Sequence, residues 1–392
     1  MGPLASLKIL DFTTLLPGPF ASMMLADLGA DIIRIEAPNR PDLLRLMPPF
    51  DGEISSAHAL LNRSKRSMTL NLKQPGATDV VKRLVQSYDI VLEQFRPGVM
   101  DRLGVGYETL KAVNPRLIYC SLTGYGQTGP YRDRAGHDIN YLALSGLSSY
   151  LGRSGERPVP LPMQVADVGG GSLMLVVGLL SAVIQRQETG EGEYVDVSML
   201  DGSLAWNATG IAHTIVGGRS PEQERMGLNG GRFYDYYETS DGRYLSVGSL
   251  EPKFWQGFCQ AIGRPDLFKA GMSLKADGQP GVKEAIQQEI SKRSLAEWNA
   301  IFADYDVCVE PVLTTAEALD HPQAKARDMI VEVPKPDGTT QRQVGTPIKF
   351  SGSQPTYKHI GAAVGTHTKS VLEESGFTAD EIETLQAAGV FG

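Results

Sequence analysis

The chain is poor in cysteine and has no hydrophobic run long enough to span a membrane. Its three cysteines, Cys120, Cys259 and Cys308, are far apart and form no CxxC pair, which fits a reducing compartment and argues against a zinc site. The longest apolar run, residues 173–184, is about half of a membrane span, so we expect a buried helix there. The N-terminus lacks the basic and apolar regions of a secretory signal. These absences predict a cytoplasmic protein without a membrane partner.

Positive charge and histidine are also scarce. Lysine and arginine number 37 against 45 aspartate and glutamate residues, a net charge of −8, and the nearest basic cluster, residues 62–67, is short. We therefore expect no nucleic-acid partner. The chain has six histidines, so a histidine within a polar motif raises the question of catalysis.

What the chain does have is an ordinary globular composition, with 42% hydrophobic and 21% charged residues. Its 392 residues favour two domains. Up to about residue 200, short β-branched runs alternate with helical segments, which predicts βαβ units and a mostly parallel sheet covered on both faces. The predicted strands are 7–14, 31–37, 67–73, 88–95, 116–122 and 193–199, and the predicted helices are 20–30, 77–87, 107–114 and 172–186.

Beyond residue 200 the pattern changes. Tyrosines, turn glycines and the pair Asp241–Gly242 predict an antiparallel hairpin, and two helical segments follow it. This predicts a smaller α+β domain over residues 225–325. The last segment, residues 326–392, is predicted to return to the large domain, residues 1–200.

The segment GYGQTG (124–129) matches the GxGxxG pattern of dinucleotide-binding proteins and follows a predicted strand. That motif needs a helix opening at the glycines, so that the helix N-terminus faces the pyrophosphate. Here PYRDRAGHD follows, without apolar periodicity. We therefore interpret the match as chance, and the dehydrogenase class loses its support.

His137 lies in AGHDINYLALSG (135–146). A lone histidine is most often a buried residue bonded to backbone. Here Gly136 and the polar residues that follow are poor core material, and Asp138 is placed to cap a helix over 140–146. The local sequence leaves both a buried and a catalytic histidine open.

Asp167 precedes three glycines in ADVGGGSL, where a helix is predicted to begin. A carboxylate there is stabilised by the helix dipole, so Asp167 could simply be a cap. Three successive glycines cost backbone entropy and suit a close approach to the main chain, or exposed amides for a developing oxyanion. Glu251 also stands at the start of a predicted helix and could merely favour its dipole. The local sequence does not decide between these readings.

Seven segments, in order along nearly the whole chain, carry a family resemblance. They are residues 17–36, 65–73, 95–104, 114–130, 135–146, 166–172 and 248–255. In them the chain closely resembles the family III CoA-transferases, most of all their racemase branch, the α-methylacyl-CoA racemases. The resemblance implies an α/β fold with a Rossmann-like large domain built from both chain ends, plus a smaller α+β domain. It also implies an interlocked homodimer of two ring-like chains.

The resemblance implies that His137 and Asp167 are the two bases of a racemase acting on 2-methylacyl-CoA thioesters, with Glu251 supporting the histidine. Backbone N–H groups near Asp167 would receive the enolate oxygen. Coenzyme A is part of the substrate, and no metal or redox cofactor is implied. The implied CoA-binding residues are Leu70, Asn71, Leu72, Lys73, Phe95, Arg96, Arg102, Gly136, Asp138, Ile139, Asn140 and Tyr141. The alternative is a CoA-transferase in which Asp167 is the nucleophile and passes through an acyl anhydride and an aspartyl-CoA thioester.

Several positions bear on the choice of branch. The formyl-CoA type of transferase has a glutamine where this chain has Leu16, and it has a glycine-rich loop that is absent here, which favours the racemase. The segment LNGGRFY (228–234) is one residue shorter than its counterpart in racemases and carries the bulky Arg232. A CoA-contacting arginine of the family is replaced by Ala37, and Arg40 is a candidate substitute.

Overall fold

A computed structural model describes residues 2–273 and 281–392. Its strands are β1 (Lys8–Asp11), β2 (Asp31–Glu36), β3 (Phe50–Asp51), β4 (Ile54–Ser55), β5 (Arg66–Thr69), β6 (Ile90–Glu93), β7 (Ile118–Thr123), β8 (Tyr194–Ser198), β9 (Asp235–Glu238), β10 (Tyr244–Val247), β11 (Val309–Pro311), β12 (Ile330–Pro334) and β13 (Thr340–Val344).

The helices, in chain order, are α1 (Pro17–Asp27), α2 (Ser56–Leu61), α3 (Ala77–Leu84), α4 (Val99–Arg102), α5 (Tyr107–Lys111), α6 (Asp138–Leu144), α7 (Met174–Thr189), α8 (Met199–Trp206), α9 (Ala208–Gly217), α10 (Pro252–Ala261), α11 (Leu267–Gly271), α12 (Val282–Ile290), α13 (Leu295–Phe302), α14 (Thr315–Asp320), α15 (Pro322–Ala326), α16 (Thr368–Glu374) and α17 (Ala379–Ala387). Two short 3₁₀ turns cover Leu43–Leu46 and Leu147–Tyr150, and a π-helical segment, Ala166–Leu173, runs directly into α7.

The chain divides into two compact units. The first comprises Met1–Ser145, Leu161–Trp206 and Lys325–Gly392, and the second comprises Gly146–Pro160 and Asn207–Ala324.

The first unit is built on a six-stranded parallel sheet in the order β5-β2-β1-β6-β7-β8. Its central strands are β-branched and aliphatic runs that are buried on both faces, as in Ile32 and Ile33 of β2. The chain proceeds outward from β1 through β2 to β5, and then outward on the other side from β6 through β7 to β8. This confirms the predicted α/β fold with a parallel sheet. The order of the strands reverses between β1 and β6, which is where such sheets form a binding crevice.

The C-terminal segment packs into the core of the first unit. Val371, Leu372, Val390 and Phe391 are buried in one cluster with Leu10 of β1 and its neighbours. Backbone bonds fix the chain end, since the N–H of Asn71 donates to the carbonyl of Val390 at 2.7 Å. The core of this unit therefore contains residues from both ends of the chain.

The long helical segment Ala166–Thr189 differs from the buried helix that its sequence predicts. Leu175, Leu179 and Ala182 are buried, whereas Val177 is 58% exposed and Ile184 is 61% exposed. The run is apolar on every side, so its sequence carries no sign of which face lies outward. Among the described residues this is the one helix long and apolar enough to cross a membrane, judged by length and composition, and 39% of its 18-residue apolar stretch is buried.

The second unit is an α+β arrangement around a three-stranded antiparallel sheet in the order β11-β10-β9. Strands β9 and β10 form the hairpin predicted from Asp241–Gly242, and the helices α10, α12 and α13 supply most of its core. Trp255 and Trp298 are fully buried in that core, and each indole N–H donates to a backbone carbonyl.

Residues 146–160 cluster with the second unit, although the predicted large domain, residues 1–200, includes them. The reason is polar pairing: the Tyr150 hydroxyl donates to Asn207 Oδ1 at 2.7 Å, and Arg153 forms an ion pair with Asp235 at 2.7 Å. The division into 1–200, 225–325 and 326–392 stays a prediction about domains. Residues 274–280, inside the second of these ranges, lie outside the described residues.

Candidate active site

Two cavities of the first unit lie at the carboxyl ends of the strands of the parallel sheet, one on each side of the switch between β1 and β6. The smaller, about 350 Å³, is lined among others by Leu16, His137, Tyr141 and Asp167, and we call it the His137 cavity. The larger, about 630 Å³, is lined among others by Ala37, Arg40 and residues 70–73 at the end of β5, and we call it the β2 cavity. Leu15 and Phe95 line both cavities, so the two are adjacent.

The turn after β1 is held in an unusual conformation where the cavities meet. Leu15 has φ +59°, in the left-handed region of backbone conformation that residues other than glycine rarely adopt. Its N–H donates to Oδ2 of the buried Asp42 at 2.9 Å, and Arg34 holds that carboxylate at 2.5 Å. A buried ion pair therefore fixes the backbone that separates the two cavities.

His137 lies at the N-cap of α6, with its side chain exposed toward the His137 cavity. Its backbone N–H donates to Oδ1 of Asn140 at 3.0 Å, which closes the first turn of the helix. A histidine buried in the core and bonded to backbone, one of the two readings left open by the sequence, is therefore wrong. The imidazole is free to meet a molecule bound in the cavity.

Asp167 lies inside the first turn of the π-helical segment, so it is not the cap of that segment. The capping role belongs to Asp138, whose Oδ1 accepts the N–H of Ala166 at 2.6 Å and of Asp167 at 3.0 Å. The Asp167 carboxyl is therefore left free to line the cavity. The same bonds occupy the two N–H groups nearest Asp167, which were expected to receive an enolate oxygen.

The electrostatics of the His137 cavity favour a protonatable Asp167. Burial, and after it the negative charge of Asp138, raise the pKa of Asp167 to about 6, while His137 opposes the shift. A carboxyl with a pKa near neutrality populates both its acid and its base form, as proton transfer requires. Burial and the charge of Asp167 also raise the pKa of Tyr141, which keeps that hydroxyl protonated.

The glycines after Asp167 allow α8 to approach the π-helical segment. A Cβ at Gly170 would come within 2.9 Å of the Met199 carbonyl oxygen, and one at Gly202 would come within 2.1 Å of the Gly170 oxygen. The close approach predicted from the glycine run is therefore that of a neighbouring helix. Gly169, Gly170 and Gly171 are all buried, so they offer no open row of amides.

The segment GYGQTG opens no helix, since α6 begins only at Asp138. Gly124 instead makes room for Tyr141, whose hydroxyl would lie 2.4 Å from a Cβ at that position. Tyr125 packs edge-on against the same Tyr141 ring, with centroids 5.2 Å apart. Gly124 and Tyr125 of the motif thus line the His137 cavity.

The predicted CoA-binding residues fall into three groups. Those lining the β2 cavity are Leu70, Asn71, Leu72, Lys73 and Phe95; those lining the His137 cavity are Phe95, Arg96, Gly136 and Tyr141; and those outside both linings are Arg102, Asp138, Ile139 and Asn140. Ala37 and Arg40 both line the β2 cavity and are joined by a β-bridge. Arg40 therefore brings a positive charge to the place where Ala37 lacks one.

Two predicted residues lie in the second unit. Glu251 is the N-cap residue of α10 and its side chain makes no capping bond, so its role toward His137 stays a prediction. Arg232, the bulky residue of the shortened segment, donates to the Gly271 carbonyl at 2.7 Å and packs against Phe233.

Sequence reasoning did not select Arg132 and Arg134, although both line the His137 cavity with Arg96. Arg134 stacks on Tyr131 with its guanidinium carbon 3.9 Å from the ring centroid. The sequence signal that could have identified these arginines is their spacing, two residues apart, just before the GHD motif. The cavity consequently combines three guanidinium groups with the carboxyl of Asp167.

Comparisons with known proteins agree with this fold. A family model described as CoA-transferase family III matches residues 4–368. The chain is 36% identical to the alpha-methylacyl-CoA racemase of Homo sapiens, over 98% of this chain and 96% of that protein. It is 35% identical to the acetyl-CoA:oxalate CoA-transferase of Acetobacter aceti, over 92% of each. A crystal structure of a CaiB/BaiF family protein from Brucella suis is similar with a TM-score of 0.82 at 31% identity, covering 95% of this chain and 99% of that one.

Proposed function

Because the chain belongs to CoA-transferase family III, we propose that it racemises 2-methylacyl-CoA thioesters by 1,1-proton transfer at the α-carbon. One observation carries the proposal: His137 and Asp167, two groups able to exchange protons, line the same cavity. A racemase needs a base on each face of the α-carbon so that the substrate does not have to turn over. A transferase needs only the carboxylate.

In the proposed reaction one residue removes the α-proton and the other returns a proton to the opposite face. For one enantiomer His137 is the base and protonated Asp167 is the acid, and for the mirror image the roles are exchanged. General acid–base catalysis contributes roughly 10²–10⁴ in rate, so stabilisation of the enolate must supply much of the remainder. The guanidinium groups of Arg96, Arg132 and Arg134 provide positive charge for it in the cavity.

The CoA part of the substrate is proposed to lie in the β2 cavity, with residues 70–73 and Arg40 along it. The thioester then passes Leu15 and Phe95, which line both cavities, to reach His137 and Asp167. The protein is further proposed to be cytoplasmic, to have no membrane or nucleic-acid partner, and to need no metal or redox cofactor. It is proposed to form an interlocked homodimer in which Glu251 supports the imidazole.

A CoA-transferase is the second candidate, and the cavity arginines favour it. Arg132 and Arg134 could hold the carboxylate of an acceptor acid near Asp167, which would then be the nucleophile. The Acetobacter aceti relative, at nearly the same identity as the human racemase, is a transferase by name. Leu16, on the same cavity wall, replaces the glutamine of the formyl-CoA type and favours the racemase.

The two candidates differ in one covalent bond, and this can be measured. A single enantiomer of a 2-methylacyl-CoA is incubated with the enzyme in D₂O, and deuterium at the α-carbon is followed by mass spectrometry. In parallel, the peptide containing Asp167 is analysed after treatment with hydroxylamine. We expect deuterium uptake with inversion, no adduct on Asp167, and loss of the uptake in Asp167→Asn. An adduct on Asp167 formed with acyl-CoA, together with transfer of CoA to an added carboxylate and no deuterium uptake, would establish the transferase instead.

A further inference from the structure

The side chain of Asp138 accepts two backbone hydrogen bonds from the π-helical segment Ala166–Leu173. Its Oδ1 accepts the N–H of Ala166 at 2.6 Å and the N–H of Asp167 at 3.0 Å. These are the first N–H groups of the π-helical segment, which lack partners within that segment. The bonds join two stretches of chain that lie 28 and 29 residues apart.

These hydrogen bonds give Asp138 a role other than the CoA binding that the family resemblance implies. Asp138 lies outside the linings of both cavities, and one of its two carboxylate oxygens is already occupied by two donors. It is also the first residue of α6, directly after His137. One carboxylate therefore ties the element that carries His137 to the element that carries Asp167.

We propose that Asp138 is a positioning residue of the proton-transfer pair, holding Asp167 opposite His137 and keeping a negative charge beside the Asp167 carboxyl. The inference rests on the proposed function, because it assigns Asp138 a part in that reaction. Two effects follow from one side chain. The two N–H bonds set where Asp167 lies, and the charge makes the proton of Asp167 harder to remove.

The second effect agrees with the groups around Asp167. After burial, Asp138 is the largest influence that raises the pKa of Asp167 to about 6, and His137 acts in the opposite direction. The other ionisable side chains of the neighbouring elements and of the cavity lining are Tyr141 of α6, Asp201 of α8, Asp27 of α1, Arg186 and Glu188 of α7, Tyr194 and Asp196 of β8, the cavity residue Tyr125, and the cavity arginines Arg96, Arg132 and Arg134. Asp27 and Arg186 are engaged in ion pairs with Arg63 and Asp89.

The test separates the charge of Asp138 from its hydrogen bonds. Asp138→Asn keeps an oxygen that can accept the two N–H groups but removes the charge, whereas Asp138→Ala removes both. Asp201→Asn is the matched control, since it removes an exposed carboxylate from α8, which packs against the same segment. In each protein the Asp167 carboxyl is titrated by ¹³C NMR after labelling of aspartate, with Asp167→Asn to assign the signal. The pH profile of α-proton exchange is measured alongside.

We expect the Asp167 midpoint in Asp138→Asn to fall by about one pH unit. For the enantiomer from which Asp167 removes the proton, the acid limb of kcat/KM should move down with it, at a similar KM. Asp138→Ala should lose at least tenfold more exchange than Asp138→Asn, and Asp201→Asn should match the parent. An unchanged Asp167 midpoint in Asp138→Asn overturns the proposal, even if racemisation occurs. Because the NMR titration needs no turnover, absence of racemisation would refute the proposed function and leave the titration to decide on Asp138.

Discussion

At the scale of single residues, His137 and Asp167 can line the His137 cavity because neighbouring residues make the capping hydrogen bonds. Asp138 caps the π-helical segment, so Asp167 does not have to, and Asn140 closes the first turn of α6 beneath His137. The sequence predicted His137 and Asp167 as a pair through a family resemblance. The same resemblance implied that Asp138 binds CoA. Its partner N–H groups lie 28 and 29 residues further along the chain, and local sequence does not reveal such a pairing.

His137→Ala should lower the rate of α-proton exchange by roughly 10²–10⁴, the contribution of a general acid–base group. The affinity for acyl-CoA should stay nearly unchanged, because the imidazole is exposed to the cavity and makes no contact in the core. Exchange is measured in D₂O and affinity by calorimetry.

His321→Ala, which alters another exposed histidine, is the control for the loss of an imidazole. A variant that loses stability and affinity together, with no specific loss of exchange, would show that His137 has a structural role instead.

At the scale of elements, the six strands of the parallel sheet and the helices α1, α3, α5 and α7 were predicted to within a few residues. The signal was the alternation of β-branched runs with segments of helical periodicity, and these elements lie at the positions that the pattern predicts. The π-helical form of Ala166–Leu173 was not predicted. The three glycines of this segment let α8 approach closely, and the sequence shows the glycines without showing which element they meet.

Gly202→Ala tests this packing. The added Cβ would lie 2.1 Å from the carbonyl oxygen of Gly170, so α8 must move away from the π-helical segment. Overpacking of this kind costs typically 1–3 kcal/mol, and here it should also displace Asp167 and lower α-proton exchange. Stability is measured by denaturant unfolding, and exchange is measured in D₂O.

Gly352→Ala is the matched control, because a Cβ at that position meets no atom within 4 Å. If Gly202→Ala kept both the stability and the exchange rate of the parent, the contact between α8 and the π-helical segment would not determine the position of Asp167.

At the scale of the whole molecule, the C-terminal end of the chain lies beside the β2 cavity, since Val390 accepts a hydrogen bond from the N–H of Asn71, which lines it. The family resemblance predicts that residues 326–392 return to the large domain; that division stays a prediction, while Val390 and Phe391 lie in the core of the first unit. Composition and length favoured more than one domain but could not show where residues 146–160 belong, because their partners, such as Asp235, come much later in the chain. Tertiary packing decides which residues pair when they are so far apart in the sequence.

Phe391→Ala tests whether the chain end supports CoA binding. Phe391 is 5% exposed, and its carbonyl accepts the Thr69 hydroxyl at 2.8 Å, directly before residues 70–73 of the β2 cavity. Removing the ring should cost about 3 kcal/mol of stability and loosen this segment, so that the Kd for acyl-CoA rises severalfold while kcat at saturation changes little. Calorimetry and steady-state kinetics measure the two effects, and Val364→Ala, at a residue that is 38% exposed, is the control.

Lower stability with an unchanged Kd would mean that the chain end stabilises the core without shaping the β2 cavity. A fall in kcat equal to the rise in Kd would mean that the disturbance reaches His137 and Asp167. We do not expect this, because the fixed turn at Leu15 separates the two cavities.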